Sequence, residues 1–425
     1  MTRGLNWRHK EATPQREIEA GRGRTVEGPV ETRIIIAGGG IVGRAIALAI
    51  ATQSHLKVTL LAGPPPGPDA RSSALAQAGR RFLTRIGVWP MVSEVAQPMN
   101  DMVITDSRLD DTIRPDVLSF EGERGANAFA QMIPNEALLT ALTKRCAEVG
   151  IDERADTAVF YDEDARSMTC RLASGQTVTG DALIAADGRS SRLREIAGIG
   201  VVRKSYEQSG IVGTLTHSLP HHGRAVQHFL PNGPFAMLPL TGDQSSIVWT
   251  ERPGFARSLV AMDPSMASLE LERVFGLSRG RLCVEPPLQA YPLTAMLARD
   301  YVAGRLALAG DAAHVIHPLA GQGLNLGLRD ATALAEVLVD AHRNGEDICA
   351  ALPRYTRWRR ADAVQMALVT DRLNAIFSRQ SDLLRAARSI GLGLIDARDK
   401  LKSLFISEAA GLEGEVPRLM RGEAI

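Results

Sequence analysis

The sequence predicts an α/β protein in which a βαβ unit is interrupted by an inserted, mostly antiparallel β-sheet and followed by a helical C-terminal region. Three observations carry this. The β-rich run Arg33–Ala37 passes through clustered glycines into an apolar helical pattern, Val42–Gln53, and on to a second strand, Val58–Leu61. Between about 203 and 300, short strands alternate with turns: Ile211–Leu215, Ala225–Phe229, Ala236–Leu240 and Ser246–Glu251. The chain then returns to strand and helix, with Arg305–Ala309, a Gly-rich loop and a helix from Leu324 to about Arg343.

The other elements follow in order. Residues 1–31 carry mixed charges with no apolar periodicity and read as a disordered tail, with neither an acid-poor transit pattern nor an apolar signal core. A helix is expected over Ala74–Ile86, ended by Gly87, and another over Asn135–Val149. The strands Thr157–Tyr161, Ser167–Leu172 and Thr177–Thr179 precede a buried strand, Ala182–Ala186, that runs into Asp187-Gly188. From Pro353 the chain is helical and Arg-rich. The expected division is a nucleotide-binding domain of 32–105, 125–200 and 300–345, a β-sheet substrate domain of 106–124 and 201–299, and a helical region of 346–425.

Composition excludes several classes. The chain has 425 residues, and 49 Lys and Arg against 48 Asp and Glu leave no field to steer a polyanion, so nucleic acid is not an expected partner. Its longest apolar stretch, Ile34 to Ala51, is broken by Arg44 and glycines, so no segment reads as a spanning helix. Cys146, Cys170, Cys283 and Cys349 stand far apart with no CxxC, which argues against a disulfide framework or a zinc site and fits a reducing cytoplasm.

Gly38, Gly40 and Gly43 form GxGxxG between strand and helix, the Rossmann-like pattern. The first glycine permits a tight turn, the second a close approach to pyrophosphate and the third close helix–strand packing; Ile41 and Val42 then present N–H groups at the helix N-terminus. The acid expected about 20 residues on, to hold an adenosine ribose, is missing. Val58–Leu61 is followed by Ala62. Farther on, Gly310-Asp311 ends a strand, with Asp311 suited to accept from polyol hydroxyls. The loop His317-Pro318-Leu319-Ala320 leads to Gly321-Gln322-Gly323-Leu324-Asn325, where a helix N-terminus can stabilise negative charge.

These segments, with Ala186-Asp187-Gly188, Ser191 and Arg194 between them, resemble the three fingerprints of the single-component FAD-dependent aromatic hydroxylases, the para-hydroxybenzoate hydroxylase-like flavoproteins. Tyr291-Pro292-Leu293, Pro234–Leu240, Val248-Trp249, Arg360-x-Asp362 and Thr370-Asp371-x-Leu373-Asn374-x-x-Phe377-Ser378 resemble the ubiquinone-biosynthesis hydroxylases within that group. So do Arg388, Gly391-Leu392, Lys402 and Ala409-Ala410-Gly411. The resemblance implies FAD as cofactor, with Arg71 over its pyrophosphate, Asn135 near its ribityl chain, Asp187 and Gly188 in contact with it, and Asp311 on a ribityl hydroxyl. It implies that NAD(P)H reduces the flavin, that a C4a-hydroperoxide forms with O2, and that one oxygen passes to the ring of a polyprenylated phenol.

Read without the resemblance, Arg71 is a solvated loop cation, Asn135 a helix N-cap and Asp187 a turn residue. His314 and His317 read as packing beside the flavin rather than binding metal, since no third ligand follows. A single GxGxxG leaves the nicotinamide to bind transiently. Phe235, Met237, Leu238 and Pro239 are the expected substrate wall, although a core strand would look the same.

Met366, Val369, Leu373, Ile376 and Phe377 form a helical stripe, and positions 353–421 hold 13 basic against 8 acidic residues. The stripe reads first as core or a homo-oligomer contact. The alternative is peripheral contact with the inner face of a membrane, beside a ubiquinone-biosynthesis complex. Competing functions are an FAD-dependent hydroxylase or reductase of another aromatic or isoprenoid substrate, and a non-catalytic scaffold subunit.

Overall fold

The computed structural model describes residues 32–64, 67–106, 116–121, 128, 130–318, 321–377 and 414–425. The expected tail, loop residues Leu319 and Ala320, and the C-terminal motif residues from Ser378 to Gly411 lie outside them. Residues 32–425 pack as one unit, built on two main sheets.

The first sheet has six strands in the order Val302–Ala303, Leu306–Leu308, Ala182–Ala185, Arg33–Ala37, Lys57–Leu61 and Asp152–Arg154. All pairs are parallel except the Val302–Ala303 edge. The central strands are continuous apolar runs because both faces are covered: Ile34, Ile35 and Ile36 are completely buried, as are Ala45 to Ile50 of the Ile41–Gln53 helix packed on them. The Gln322–Arg343 helix lies against that first helix, with Gly327 facing Val42. A Cβ added to Gly327 would stand 2.7 Å from the Val42 side chain, so that glycine sets how closely the two helices approach.

The second sheet has eight strands, in the order His314–Val315, Leu282–Ala298, Val201–His217, Gln244–Glu251, Gly233–Leu240, Arg224–Leu230, Asp101–Asp106 and Leu118–Glu121. It is antiparallel except where Arg224–Leu230 runs parallel to Asp101–Asp106. One face is closed by two helices, Pro253–Val260 and Pro264–Phe275, over a core of Phe235, Met237, Ile247, Trp249 and Phe275. The other face is turned to a cavity.

Several elements match the sequence reading closely. The helix Asn135–Val149 is as expected and stops at Gly150, whose left-handed φ of 77° lets its N–H reach the last turn. The expected helix over Ala74–Ile86 divides: Ser72–Ala76 is a strand paired with Ala130–Pro134, and the helix is Gln77–Arg85. Ala74 to Ala76 carry no β-branched signal, and pairing partners far along the chain override their helical propensity. The short expected strand Ile211–Leu215 belongs to a 17-residue strand, Val201–His217, whose exposed polar first half hides it from pattern reading.

Candidate functional site

A cavity of about 1390 Å³ opens at the carboxyl end of the parallel sheet and continues across the antiparallel one. Its first end is built by glycines. Gly38 has φ of 128°, and a Cβ there would lie 2.2 Å from the Ala186 carbonyl oxygen; one on Gly43 would lie 1.9 Å from the Gly38 carbonyl oxygen. These two let strand and helix close together without touching the cavity. Gly40 does touch it, together with Ile41 and Val42. Gly40 caps the helix with no side-chain hydrogen bond, so the first-turn N–H groups face the opening. An added Cβ at Gly40 meets no atom within 4 Å and would project into space the cavity needs.

The second helix N-terminus repeats this arrangement. Gly321, with φ of 64° and no side-chain cap, starts the Gln322–Arg343 helix, and Gly321, Gln322, Gly323 and Leu324 all line the cavity with Pro318. Two uncapped N-termini around one elongated cavity suit a cofactor with a pyrophosphate at one end and an electron-accepting ring farther on. Asp311 presents an exposed carboxylate between them.

Other expected residues are engaged differently from the sequence reading. Asn325 spans the Ser72–Ala76 strand, accepting from Ala76 N–H at 2.9 Å and donating to the Ala74 carbonyl at 2.8 Å; it fastens the helix and does not line the cavity. Gly310 lies behind the cavity, where its φ of 59° and missing side chain accommodate Val42. Asp187 accepts from the N–H groups of Arg192 and Leu193 at the start of a short helix, and burial pushes its carboxyl up. Gly188, not Asp187, lines the cavity.

Arg71 and Asn135 both line it but share a neighbour that pattern reading missed. Asp69 accepts two hydrogen bonds from the Arg71 guanidinium, at 2.6 and 2.8 Å, and one from the Asn135 amide at 3.3 Å. Arg71 also lies 5.7 Å over the Tyr291 ring. Asn135 is the first residue of its helix rather than the cap, which is Pro134, and its side-chain Oδ1 accepts from Ser73 Oγ at 2.7 Å. Along the same helix Glu136, Leu139, Thr140, Thr143 and Lys144 turn to the cavity, a spacing of three and four that helical periodicity could have revealed.

The expected substrate wall is corrected at three of its four residues. Leu238 lines the cavity, whereas Phe235 and Met237 are buried in the core beneath the sheet, Phe235 against Trp249 at 5.3 Å between ring centroids. Pro239 is buried and does not line the cavity either. Both faces of the strand are covered, so an unbroken apolar run could not show which alternate residues face which way. The cavity face is Pro234, Ala236 and Leu238, beside Ser246, Val248 and Thr250 of the next strand.

Behind the flavin-type loop is a buried charge cluster that the sequence reading did not assemble. Asp330 is fully buried, accepts from Gly310 N–H at 3.0 Å, and pairs with His314 Nε2 at 2.5 Å and Arg359 Nε at 2.9 Å. Burial pushes this carboxyl up, but His314 and Arg359 outweigh it and hold it below the usual carboxylate range. Arg194, also buried, donates to the Ala312 carbonyl at 2.8 Å. The middle and last glycine motifs are thereby tied together from behind. His317 is completely buried, edge-on to Tyr206 at 4.8 Å, and burial pushes its imidazole down to about 4.

The fold and site are those of an FAD-dependent aromatic-ring monooxygenase. An FAD-binding-domain family model matches residues 31–370. The chain is 40% identical to the ubiquinone hydroxylase UbiL of Rhodospirillum rubrum, over 96% of this chain and 98% of that one. It is 34% identical to the 3-demethoxyubiquinol 3-hydroxylase of Escherichia coli K12, over 90% and 99%. Among solved structures, the p-nitrophenol 4-monooxygenase PnpA of Pseudomonas putida superposes with a TM-score of 0.75 at 18% identity, covering 91% of this chain and 99% of that one. The chain belongs to the ubiquinone-biosynthesis hydroxylases, a family of FAD-dependent enzymes.

Proposed function

We propose that the protein hydroxylates the ring of a polyprenylated phenol in ubiquinone biosynthesis, with NAD(P)H as reductant and O2 as the oxygen source. One observation carries this reading: a single cavity joins the two uncapped helix N-termini at Gly40 and Gly321 to an apolar floor that includes Ala236, Leu238, Val248 and Met102. Bound FAD supplies the electron-transfer and oxygen chemistry. The chain's part is binding and placement. N–H groups from Gly40 to Val42 would hold the pyrophosphate, and the Asp311 carboxylate would accept from the ribityl hydroxyls. Arg71, already paired with Asp69, lies along the cavity edge. The helix beginning at Gln322 turns its positive end to the cavity, where it would stabilise negative charge on the bound ring. The apolar floor excludes water that would divert oxygen to peroxide.

Peripheral membrane contact is part of the same proposal. Among the described residues no helix is long and apolar enough to cross a membrane. On the Ile348–Phe377 helix, however, Leu368, Val369, Leu373 and Ile376 are exposed at 37–52%, with Arg357, Arg360 and Arg372 beside them. Much of the expected stripe therefore does not enter the core. An apolar strip flanked by arginines suits an anionic bilayer, where a polyprenyl chain resides.

The test is to purify the protein, record flavin absorbance, and supply prenylphenols with NADH or NADPH under O2. Hydroxylated product formed in step with reductant consumption is expected. Stimulated oxidation that yields only peroxide with every prenylphenol overturns the proposal.

A further inference from the structure

We propose that Gln289 is a positioning residue for the cofactor: from the antiparallel sheet it fastens segment 68–71 as a strap at the cavity, and this strap retains FAD where the usual ribose-binding acid is missing. The proposal rests on FAD occupying the cavity and is independent of which ring is hydroxylated. The end of the second strand shows why such a device is needed. The position from which an acid would reach the adenosine ribose is Ala62, 5% exposed and outside the cavity lining. Retention therefore falls to other contacts. Pro68, Asp69 and Arg71 line the cavity, and their segment belongs to neither a helix nor a strand, so the side chains that reach it set its position.

Gln289 meets the segment with both ends of one amide. Its Oε1 accepts from Ala70 N–H at 3.2 Å, and its Nε2 donates to the Pro68 carbonyl at 3.0 Å. Tyr291 stands two residues along the Leu282–Ala298 strand, on the same face, and its hydroxyl donates to that Oε1 at 2.6 Å, which orients the amide. No other side chain of this size serves both bonds. Glu would set a second acceptor against the Pro68 carbonyl, and Leu would offer the Ala70 N–H nothing. Gln289 also pairs across the sheet with Val212, which lines the cavity, so the strap hangs from the sheet that carries the apolar floor.

Fastening the segment also fixes what it presents. Asp69 takes Nε and Nη2 of Arg71, the Tyr291 ring lies against the same guanidinium, and Asn135 N–H donates to the Arg71 carbonyl at 3.1 Å. Among the described residues no hydrogen bond uses Nη1 of Arg71, which is left for a phosphate oxygen. The bond from Gln289 to Pro68 is exposed, so water replaces it when the segment lifts. Gln289 therefore adds little to the stability of the cofactor-free fold and acts on opening.

The experiment uses the FAD-loaded protein and its Gln289→Ala, Gln289→Glu and Tyr291→Phe variants. FAD release after dilution is followed by flavin fluorescence, and strap opening by the rate at which trypsin yields a fragment ending at Arg71, with and without cofactor. Gln289→Ala should release FAD about tenfold faster and speed that cleavage by a similar factor, with the Tm of the cofactor-free protein unchanged. Gln289→Glu should behave as Gln289→Ala does, because the donor to Pro68 is gone, and Tyr291→Phe should fall between them and the wild type. Unchanged release and cleavage in Gln289→Ala overturns the proposal. So does a cofactor-free Tm that falls in step with release, which makes Gln289 a packing residue. A wild-type protein that holds no FAD counts against the occupant of the cavity, whereas its cleavage after Arg71 still reads whether Gln289 fastens the strap.

Discussion

Asp330 shows how much of this site depends on a residue that touches no ligand. Its carboxylate joins the Gly310 backbone, His314 at the cavity edge and Arg359 from the next long helix, all in a fully buried setting. Removing one member leaves the others charged or unsatisfied where water cannot reach them. Asp330→Asn should therefore cost about 3–5 kcal/mol in denaturant unfolding, and the cost should be shared with Arg359→Met, so that the double variant loses much less than the sum. Additive losses would mean that the two side chains are not one network. His317 supports a second residue-scale expectation. Its imidazole is neutral when folded, pushed down to about 4 by burial, whereas the unfolded chain takes up a proton near 6.5. The stability it contributes is complete above about pH 6.5 and is lost as pH falls toward 4, on the order of 3 kcal/mol in all. His317→Phe should flatten the stability profile across that window, and a profile that keeps its slope there would assign the effect elsewhere.

Elements differ in how openly the sequence declared them. The Ile41–Gln53 helix was legible because a glycine motif, an apolar run and a following strand all agree. The Asn135–Val149 helix was legible for its periodicity and its terminal Gly150. Less was visible where long-range pairing decided the outcome, as in Ser72–Ala76, or where both faces of a strand are buried, as in Gly233–Leu240. Site residues divide in the same way: Gly40, Ile41, Val42, Asp311 and Gly321 through Leu324 line the cavity because motif position fixes backbone position. Asn325 and Gly310 occupy motif positions too, but only tertiary contacts show that one fastens a strand and the other makes room for Val42. Asp69 had no motif to announce it. At this scale Gly43→Ala is the decisive change, since its Cβ would stand 1.9 Å from the Gly38 carbonyl oxygen, which is backbone and cannot swing aside. The first strand and its helix should be forced apart, with a lower Tm and loss of flavin absorbance on purification. Gly40→Ala, with no protein atom within 4 Å, should keep its Tm without cofactor and lose flavin alone. Equal thermal loss in both variants would contradict this division between packing and binding.

Across residues 32–425, the antiparallel sheet brings an apolar floor to the cavity, and the long C-terminal helix carries an arginine-flanked apolar strip at the surface. A polyprenyl substrate has its reactive ring at one end and tens of apolar atoms behind it, so the ring must be lifted from a bilayer while the tail stays there. An enzyme resting on that bilayer shortens the transfer. Charge decides whether the strip is a membrane contact or a contact between copies. Arginines gain about 1 kcal/mol each near an anionic surface, an advantage that salt screens, whereas an apolar dimer contact is strengthened or unchanged by salt. Vesicles of mixed neutral and anionic lipid should therefore sediment with the protein at low salt and release it at high salt. Reversing Arg357, Arg360 and Arg372 to Glu should abolish the binding while leaving turnover of a short-chain, water-soluble prenylphenol unchanged, because none of the three lines the cavity. Turnover of a long-chain substrate embedded in the same vesicles should fall with the binding. Retained vesicle binding in the triple variant, or a dimer that dissociates with it, would assign the strip to a protein contact instead.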